Sequence, residues 1–277
     1  MAETAQTEFP KRQWFNADLT VSDSTRQVLT TYSKIPADQI LSHVHAVREK
    51  AWAVHPYPCI GQGRFLELAI GQHELYQAEI LPRMRQGEQT YLDLGCAFAQ
   101  NIRRLVADGV DSGKCYGADI TLDLIGLGYE LFQDKETLKS KFIAADIFDA
   151  DSQLKELEGT IDIIDASSFF HLFGLEEQKT IARAVMKLMT GRKDSLVVGR
   201  QAGTVKNGLA PNRLGVGNKY WHNIESWRKL WDEVGDEVGV QFQVEGRSKP
   251  IANTGRESTA VVDAGWSMLE FSVRRMN

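Results

Sequence analysis

From Gly87 onwards, short apolar runs alternate with segments of helical periodicity, and no other feature limits the fold of this chain as much. The runs that predict β-strands are residues 90–94, 114–119, 142–145, 161–165, 195–199, 240–244 and 269–273. The segments that predict α-helices between them are residues 99–107, 124–131, 176–190 and 224–234. Strands that alternate with helices build parallel sheets, because a parallel pair needs a long crossover connection. We therefore expect an α/β fold with a mainly parallel sheet.

The residues before this alternation show a different pattern, with weaker periodicity and several prolines. Residues 1–35 carry few periodic signals and predict a loose arm. A helix is expected to begin near Pro36 and to end at the segment His55-Pro56-Tyr57-Pro58, since a residue before proline is disfavoured in helical conformation. A second helix is predicted at residues 63–81.

Composition and charge exclude several classes of protein. The net charge is −5 and no basic stripe is present, so nucleic acid is not an expected partner. No run of about 18 apolar residues could cross a membrane, and the N-terminal segment lacks the apolar core of a secretory signal. Cys59, Cys96 and Cys115 form no CxxC pair, so we expect reduced thiols, no metal site and a cytoplasmic protein.

The segment at residues 91–99 predicts a strand that ends in a tight turn and leads into a helix. Gly95 allows the chain to turn and a ligand to approach the backbone. Ala97 and Ala99 stand where a G-x-G-x-G loop has its other glycines, and both are small. A dinucleotide-dependent oxidoreductase is the main rival, but it would need glycines near positions 95, 97 and 100, and only the first is present. The turn still predicts a ligand site at the carboxyl ends of the strands.

Acidic residues end three successive predicted strands. Asp93 lies in the first strand, Asp119 ends the second and Asp146 follows the third. A carboxylate at Asp119 can accept both hydroxyls of a ribose. The Asp146 carboxylate can receive the amino group of an adenine, with Ile147 packing on the ring. Three carboxylates at neighbouring strand ends are a stronger signal than the glycine turn alone.

These motifs together resemble those of class I S-adenosylmethionine-dependent methyltransferases. The matching segments are Leu92-Asp93-Leu94-Gly95-Cys96, Gly117-Ala118-Asp119, Ala145-Asp146-Ile147 and Ile161-Asp162-Ile163-Ile164-Asp165. The resemblance implies S-adenosyl-L-methionine as cofactor, its ribose held by Asp119 and its adenine by Asp146 and Ile147. The full set of cofactor-binding residues that we expect is Asp93, Gly95, Cys96, Ala97, Asp119, Ile120, Asp146, Ile147 and Ser167. Ala97 and Ala99 depart from the glycines usual in the family.

The N-terminal part resembles a narrower group, the fungal natural-product methyltransferases of meroterpenoid pathways, through residues 55–60 and the pair Arg64-Phe65. The resemblance implies a Rossmann-like seven-stranded sheet with helices on both faces and an antiparallel last strand. It also implies an N-terminal helical cap over the substrate. We expect an arm and cap at residues 1–86 and a catalytic domain at residues 87–277.

The loop after the fourth strand, residues 166–171, is expected to face the reacting methyl group. His171 is the candidate catalytic residue, as a base or as a group that orients the acceptor. A packing role within an aromatic cluster fits it equally well. Phe169 and Phe170 are candidates for the wall of the methyl site, although core packing explains them as readily.

Three further residues are candidates for acceptor binding. Tyr57 and Arg64 lie in the expected cap, and Arg64 could pair bidentately with a carboxylate. His222 stands just before a helix, where it either reaches the mouth of the site or caps the helix. The glycine-rich residues 203–217 predict either a mobile lid or a surface loop without a role.

The function expected from these features is O-methyl transfer to a small, largely apolar natural product, with a carboxylate that becomes a methyl ester as the favoured acceptor. The alternatives are a hydroxyl, nitrogen or carbon acceptor with His171 as base, and a catalytically silent protein that keeps the fold for binding. Methylation of nucleic acid is disfavoured by the charge. The partners expected are a small-molecule acceptor and, as one option, a second copy of the chain in a homodimer, with no membrane contact.

Overall fold

The computed structural model describes residues 14–205, 208–209, 219–250 and 265–277 of the 277-residue chain. The strands are β1 (Tyr91–Leu94), β2 (Cys115–Asp119), β3 (Lys141–Ala144), β4 (Ile163–Asp165), β5 (Leu196–Thr204), β6 (Gly208–Leu209), β7 (Tyr220–Trp221), β8 (Phe242–Pro250) and β9 (Trp266–Arg275). Seven of them form a central sheet in the order β3-β2-β1-β4-β5-β9-β8. The short strands β6 and β7 pair with each other as a separate ribbon.

The five strands β1 to β5 are parallel to one another, and β9 runs antiparallel between β5 and β8. The central strands β1 and β4 are short and fully buried, as expected where helices cover both faces of a sheet. This arrangement confirms the seven-stranded sheet with an antiparallel last strand.

The antiparallel side of the sheet is longer than the parallel side. Only Leu196, Val197 and Val198 of β5 pair with β4, whereas β5 pairs with β9 over nine positions. Residues 199–204 therefore continue past the carboxyl edge of the parallel strands, a length of about 20 Å at 3.3 Å per residue. Strands β8 and β9 accompany this extension as an antiparallel pair.

Helices pack on both faces of the sheet. The described helices of eight or more residues are α1 (Asp23–Thr31), α2 (Ile40–Val54), α3 (Gln100–Ala107), α4 (Leu122–Phe132), α5 (Leu175–Leu188) and α6 (Ile224–Asp236). Of these, α1 and α2 pack on α3 and α4 rather than on the sheet. The core on one face is built around α5 and α6, with Trp227 and Trp231 fully buried. The core on the other face includes α3, through Ile102 and Leu105. No helix in the described ranges has both the length and the apolarity to cross a membrane.

The N-terminal region differs from the sequence-based prediction in two places. The expected loose arm contains helix α1, which begins where the Ser22 hydroxyl accepts a hydrogen bond from the Thr25 backbone N–H. Residues 1–13 of that arm lie outside the described residues. The prediction of a single helix at 63–81 is wrong, since several short helical segments replace it, with breaks before residues 69 and 76. The segments are Arg64–Leu66, Ala69–Gln72, Tyr76–Ile80 and Leu81–Arg85.

The N-terminal region packs directly against the sheet domain. Phe65 stacks on Phe98, which follows β1, at a centroid distance of 4.7 Å. The Tyr32 hydroxyl donates to the Asp134 carboxylate at 2.7 Å, and Arg103 on α3 forms a buried ion pair with the same carboxylate at 2.9 Å. At the surface, Lys50 on α2 also pairs with Glu130 on α4.

Replacing Arg103 by methionine should destabilise the protein strongly. The substitution leaves the carboxylate of Asp134 buried without its cation, and breaking a buried pair in this way costs about 3–5 kcal/mol. The free energy of unfolding, measured by urea denaturation, reports this loss. Lys50→Gln is the matched control, since it breaks an exposed pair and should cost less than about 1 kcal/mol. Equal losses in the two variants would contradict the structural role of Arg103.

Candidate active site

The carboxyl edge of the sheet brings three aspartates together. Asp93 in β1 pairs in register with Asp165 at the end of β4, and Asp119 ends the neighbouring strand β2. Asp93 and Asp165 are buried, and Asp119 is half-buried. Two of the three predicted strand-end acids, Asp93 and Asp119, therefore lie close together, and Asp165 is the third member of the cluster.

The turn after β1 is held to the end of β2 by backbone hydrogen bonds. The N–H groups of Gly95 and Cys96 both donate to the Ala118 carbonyl, at 2.8 and 3.0 Å. Gly95 has a φ of +72°, and a Cβ at this position would lie 2.5 Å from the Phe169 ring. Ala97 and Ala99 also have positive φ, +47° and +50°, which costs an alanine about 1 kcal/mol. The turn thus keeps a glycine-like backbone at the two positions where the sequence departs from glycine.

Asp119 fixes this turn and retains capacity for a ligand. One carboxylate oxygen accepts from the Ala97 N–H at 2.8 Å, and the other from the Thr121 N–H at 2.8 Å. A carboxylate oxygen has two lone pairs, so each still has one free for a hydroxyl donor. Ile120 beside it is 69% exposed, an unusual state for a large apolar residue at this edge. Both observations are compatible with the ribose role expected of Asp119.

The carboxylate of Asp93 lies in a buried environment dominated by negative charge. Burial, together with the negative charges of Asp165 and Asp119, raises its pKa well above the usual range. Its Oδ2 atom has no hydrogen-bond partner among the described residues. A cationic ligand at the adjacent turn would relieve both conditions. The ammonium and sulfonium groups of S-adenosylmethionine are such cations, and Gly95 leaves the backbone open to approach, so these residues fit that cofactor.

The segment after β3 is more exposed than the other strand ends. Asp146 lies there in a local turn, in which its carboxylate accepts from the Phe148 backbone N–H at 3.0 Å. Ile147 packs against the core. The adenine contacts expected of Asp146 and Ile147 remain predictions, as do the individual contacts of the rest of the cofactor set.

Cys96 is buried in the turn, and burial raises the pKa of its thiol well above the usual range. The thiol therefore stays protonated and does not act as a nucleophile at neutral pH. Across the described ranges, no group of three or more metal-ligating side chains is placed to hold an ion.

The loop after β4 runs along the cofactor turn. The Ser167 N–H donates to the Asp165 carboxylate at 2.9 Å. Ser168 has a φ of +58°, and its N–H donates to the Arg200 carbonyl on β5 at 2.7 Å. The Phe169 ring lies against Gly95. The structure thus brings the predicted acceptor loop next to the predicted cofactor turn.

His171 in this loop is half-buried and neutral. Burial lowers its pKa to about 3, with further lowering by the positive charges of Lys219 and Arg64. Its Nδ1 atom has no hydrogen-bond partner among the described residues. Arg64 is exposed, and Tyr57 is 42% exposed with a pKa raised by burial and by the charge of Asp119. Both N-terminal candidates therefore face the region of the site.

Two of the predicted acceptor residues lie in the core instead. Phe170 is fully buried and packs edge-on against Trp227 at a centroid distance of 5.0 Å. His222 is 1% exposed, its Nδ1 is 2.8 Å from the Ser226 hydroxyl, and burial lowers its pKa to about 4. Neither side chain lines an open site, so these two assignments are corrected to packing and, for His222, support of the α6 start.

Lys219 is a site residue that the sequence-based reasoning did not select. Its side chain is half-buried, burial lowers its pKa, and it stands close enough to His171 to affect the pKa of that ring. The described residues supply no ion-pair partner for it. A lysine after a glycine-rich segment carries no local sequence signal for this position.

Most of the predicted lid at residues 203–217 cannot be compared with the structure, because residues 206–207 and 210–218 lie outside the described ranges.

Known proteins resemble this chain over most of its length. Residues 14–66 match the family model described as the meroterpenoid methyltransferase N-terminal domain. The O-methyltransferase phiE of Fungal sp. is 42% identical over 255 residues, which cover 90% of this chain and 84% of that protein. The asnovolin E/chermesin D methyltransferase nvfJ of Aspergillus novofumigatus is 42% identical over 226 residues, which cover 81% of each protein.

Solved structures share the fold at much lower identity. The 1,6-didemethyltoxoflavin-N1-methyltransferase of Burkholderia thailandensis, with S-adenosylhomocysteine bound, matches with a TM-score of 0.50 and 14% identity, covering 95% of this chain and 93% of its own. A putative sarcosine dimethylglycine methyltransferase of Galdieria sulphuraria matches with a TM-score of 0.52 and 12% identity, covering 76% and 92%. At these identities the likeness shows the fold alone.

Replacing Asp119 by alanine should weaken the binding of S-adenosylhomocysteine by about thirtyfold, which corresponds to about 2 kcal/mol from lost hydrogen bonds to a charged group. The substitution removes the expected ribose acceptor and the acceptor for the Ala97 N–H. Calorimetric titration measures the affinity, and thermal unfolding shows whether the variant is folded. Asp149→Ala, at an exposed position after β3, is the control. Unchanged affinity in folded Asp119→Ala protein would refute the ribose assignment.

Proposed function

The chain belongs to the family of S-adenosylmethionine-dependent fungal methyltransferases that includes phiE and nvfJ, and we propose that it methylates a carboxylate oxygen of a small, largely apolar natural product. The name of phiE supports oxygen as the acceptor atom, and the name of nvfJ supports an acceptor of the asnovolin and chermesin type. The family's N-terminal model over residues 14–66 supports a meroterpenoid pathway.

The observation that supports the carboxylate proposal is the positive charge that two side chains, Arg64 and Lys219, exert on His171. Arg64 comes from the N-terminal region and Lys219 from the segment before β7, and both lower the pKa of His171. Neither has a carboxylate partner among the described residues. A half-buried cation without a partner, such as Lys219, is unfavourable, so this pair favours binding of an anion. A carboxylate of the acceptor supplies that charge and accepts bidentate hydrogen bonds from arginine.

Apolar side chains in and beside the loop after β4 suit the rest of the acceptor. The rings of Phe169, Phe173 and Phe148 form a chain of edge-on contacts with centroid distances of 5.4 Å. Phe148 and Leu172 are 40% and 44% exposed. Exposed apolar groups beside a polar anchor are typical of sites for small, mainly hydrophobic ligands. In this proposal residues 1–86 form the acceptor-side cap of the catalytic domain at 87–277.

The chemistry that follows depends on alignment more than on acid–base catalysis. The bound cofactor supplies a methyl group activated by its positive sulfur. A carboxylate is already ionised at neutral pH, so no side chain needs to remove a proton from it. The work of the protein is to hold the acceptor oxygen in line with the methyl group, and such positioning provides about 7–11 kcal/mol. Neutral His171 serves as a polar contact that does not add a third positive charge.

Replacing Arg64 or Lys219 by glutamine should raise the KM for apolar carboxylic acids by about tenfold to a hundredfold, because each variant removes a charge-assisted hydrogen bond. The measurement is steady-state methyl transfer with a panel of terpenoid acids and the alcohols of the same skeletons. Lys229→Gln, at an exposed lysine on α6, is the matched control. An unchanged KM for the acids, or equal rises for acids and alcohols, would refute an anion site here.

The response of turnover to His171→Ala separates this function from hydroxyl methylation. The pKa of His171 is lowered to about 3, so the ring is neutral throughout the range from about pH 6 to 8, and kcat/KM should be flat there. With a carboxylic acid as acceptor, we expect His171→Ala to lower kcat by less than about tenfold, because no proton has to be removed. A loss of about 10²–10⁴-fold, measured by steady-state methyl transfer, would instead show that His171 is a general base, as a hydroxyl acceptor requires.

A further inference from the structure

Two chains of hydrogen bonds connect the N-terminal region to the acceptor loop. In the first, the Ile70 N–H donates to Asn101 Oδ1 at 3.2 Å, and Asn101 Nδ2 donates to Asp165 at 2.9 Å. The other oxygen of Asp165 accepts from the Ser167 N–H at 2.9 Å. The chain therefore runs from the backbone of the N-terminal region, through α3 and β4, to the backbone of the acceptor loop.

The second chain runs through Arg200 on the extended part of β5. Its guanidinium pairs with the Glu67 carboxylate and donates to Gln72 Oε1 at 3.3 Å. Its carbonyl accepts from the Ser168 N–H at 2.7 Å. Two nearby positions of the N-terminal region, Glu67 and Ile70, are thus connected to two adjacent amides of the acceptor loop.

We propose that Asp165 and Arg200 are positioning residues, through which docking of residues 67–70 fixes the backbone of the acceptor loop at Ser167 and Ser168. The loop then takes its reactive geometry only when the N-terminal region is seated. The proposal concerns the loop backbone, so it holds for any acceptor group.

The side chains in the first chain suit this role specifically. Asn101 is 2% exposed and makes one bond as acceptor and one as donor, which an aspartate or a leucine at this position cannot do. Asp165 is fully buried and accepts from three donors, the third being the Tyr91 hydroxyl at 2.9 Å. Removing one member of the chain leaves a buried polar group without its hydrogen-bond partner. The stability of the contact at Ile70 is therefore coupled to the stability of the contact at Ser167.

The loop itself needs such restraint. Ser168 has a left-handed backbone, which a serine adopts only where its surroundings impose it. The adjacent Phe169 ring contacts Gly95 in the cofactor turn. A shift of the loop therefore moves the ring against the turn, and a displacement of about 1 Å can lower a transfer rate by about a hundredfold.

Hydrogen exchange of the full-length protein, saturated with S-adenosylhomocysteine, tests the proposal without knowledge of the acceptor. Asn101→Ala and Glu67→Ala each break one chain at a point outside the acceptor loop. We expect amide exchange in peptides that cover residues 166–171 to become about tenfold faster in both variants, which is the effect of losing one hydrogen bond. The Glu67 side chain is 45% exposed, so Glu67→Ala should fold even where Asn101→Ala does not.

Two controls separate positioning from general loosening. Tyr91→Phe removes a donor to the same Asp165 carboxylate without breaking either chain. Lys50→Gln removes an ion pair between the N-terminal region and α4 that does not lead to the loop. Both should leave exchange in residues 166–171 within about twofold of the parent protein. Equal acceleration in a control and in the test variants, or no acceleration in Glu67→Ala, would overturn the proposal.

A double variant that combines Asn101→Asp with Asp165→Asn gives an independent check. Exchanging the amide and the carboxylate restores a donor and an acceptor between α3 and β4, and it keeps an acceptor for the Ile70 N–H. We expect loop exchange in the double variant to be at least about threefold slower than in Asp165→Asn alone. No recovery in a folded double variant would show that the side-chain link does not carry the coupling.

Discussion

The buried guanidinium of Arg103 is the contact on which the rest of the site depends. It is fully buried, pairs with Asp134 and donates to the Phe98 carbonyl at 2.9 Å, so one charge joins the segment after α4 to the turn after β1. Tyr32 of the N-terminal region reaches the same carboxylate. A charge this deep is tolerated only when its partners hold it closely. The cofactor turn and the N-terminal region are therefore both fixed by this one ion pair.

The carboxyl edge shows the opposite condition, an excess of negative charge. Asp93 and Asp165 lie in register on adjacent strands, and the pKa of both is raised by burial. Three donors stabilise the Asp165 carboxylate, whereas one oxygen of Asp93 has no partner among the described residues. Apolar residues in place of these aspartates would make the free protein more stable. A cationic cofactor that neutralises this edge therefore gains binding free energy.

Local patterns were enough to predict the sheet, the turn at Gly95 and the strand-end aspartates, because each depends on residues close in sequence. Pairwise packing was not predictable in this way. Phe170 and His222 have the residue types of a site, yet both pack against Trp227 in the core. No sequence pattern pointed to Lys219 as a site residue, because only the tertiary fold brings its charge near His171. Helix α1 was missed although its Ser22 cap is a local signal, whereas the breaks in 63–81 accompany long-range contacts such as that of Ile70 with Asn101.

The extension of β5 beyond the parallel strands has a consequence for how such a protein can diversify. Residues 199–204 pair only with β9 within the central sheet, so their outward side chains do not take part in the register of the four other parallel strands. Apart from Arg200, which holds the loop after β4, and Gly199, which packs closely on that loop, substitutions in this extension do not alter the register of β1 to β4. The fold therefore separates a parallel part, whose register fixes the turn at Gly95, from an antiparallel extension that can vary without changing it.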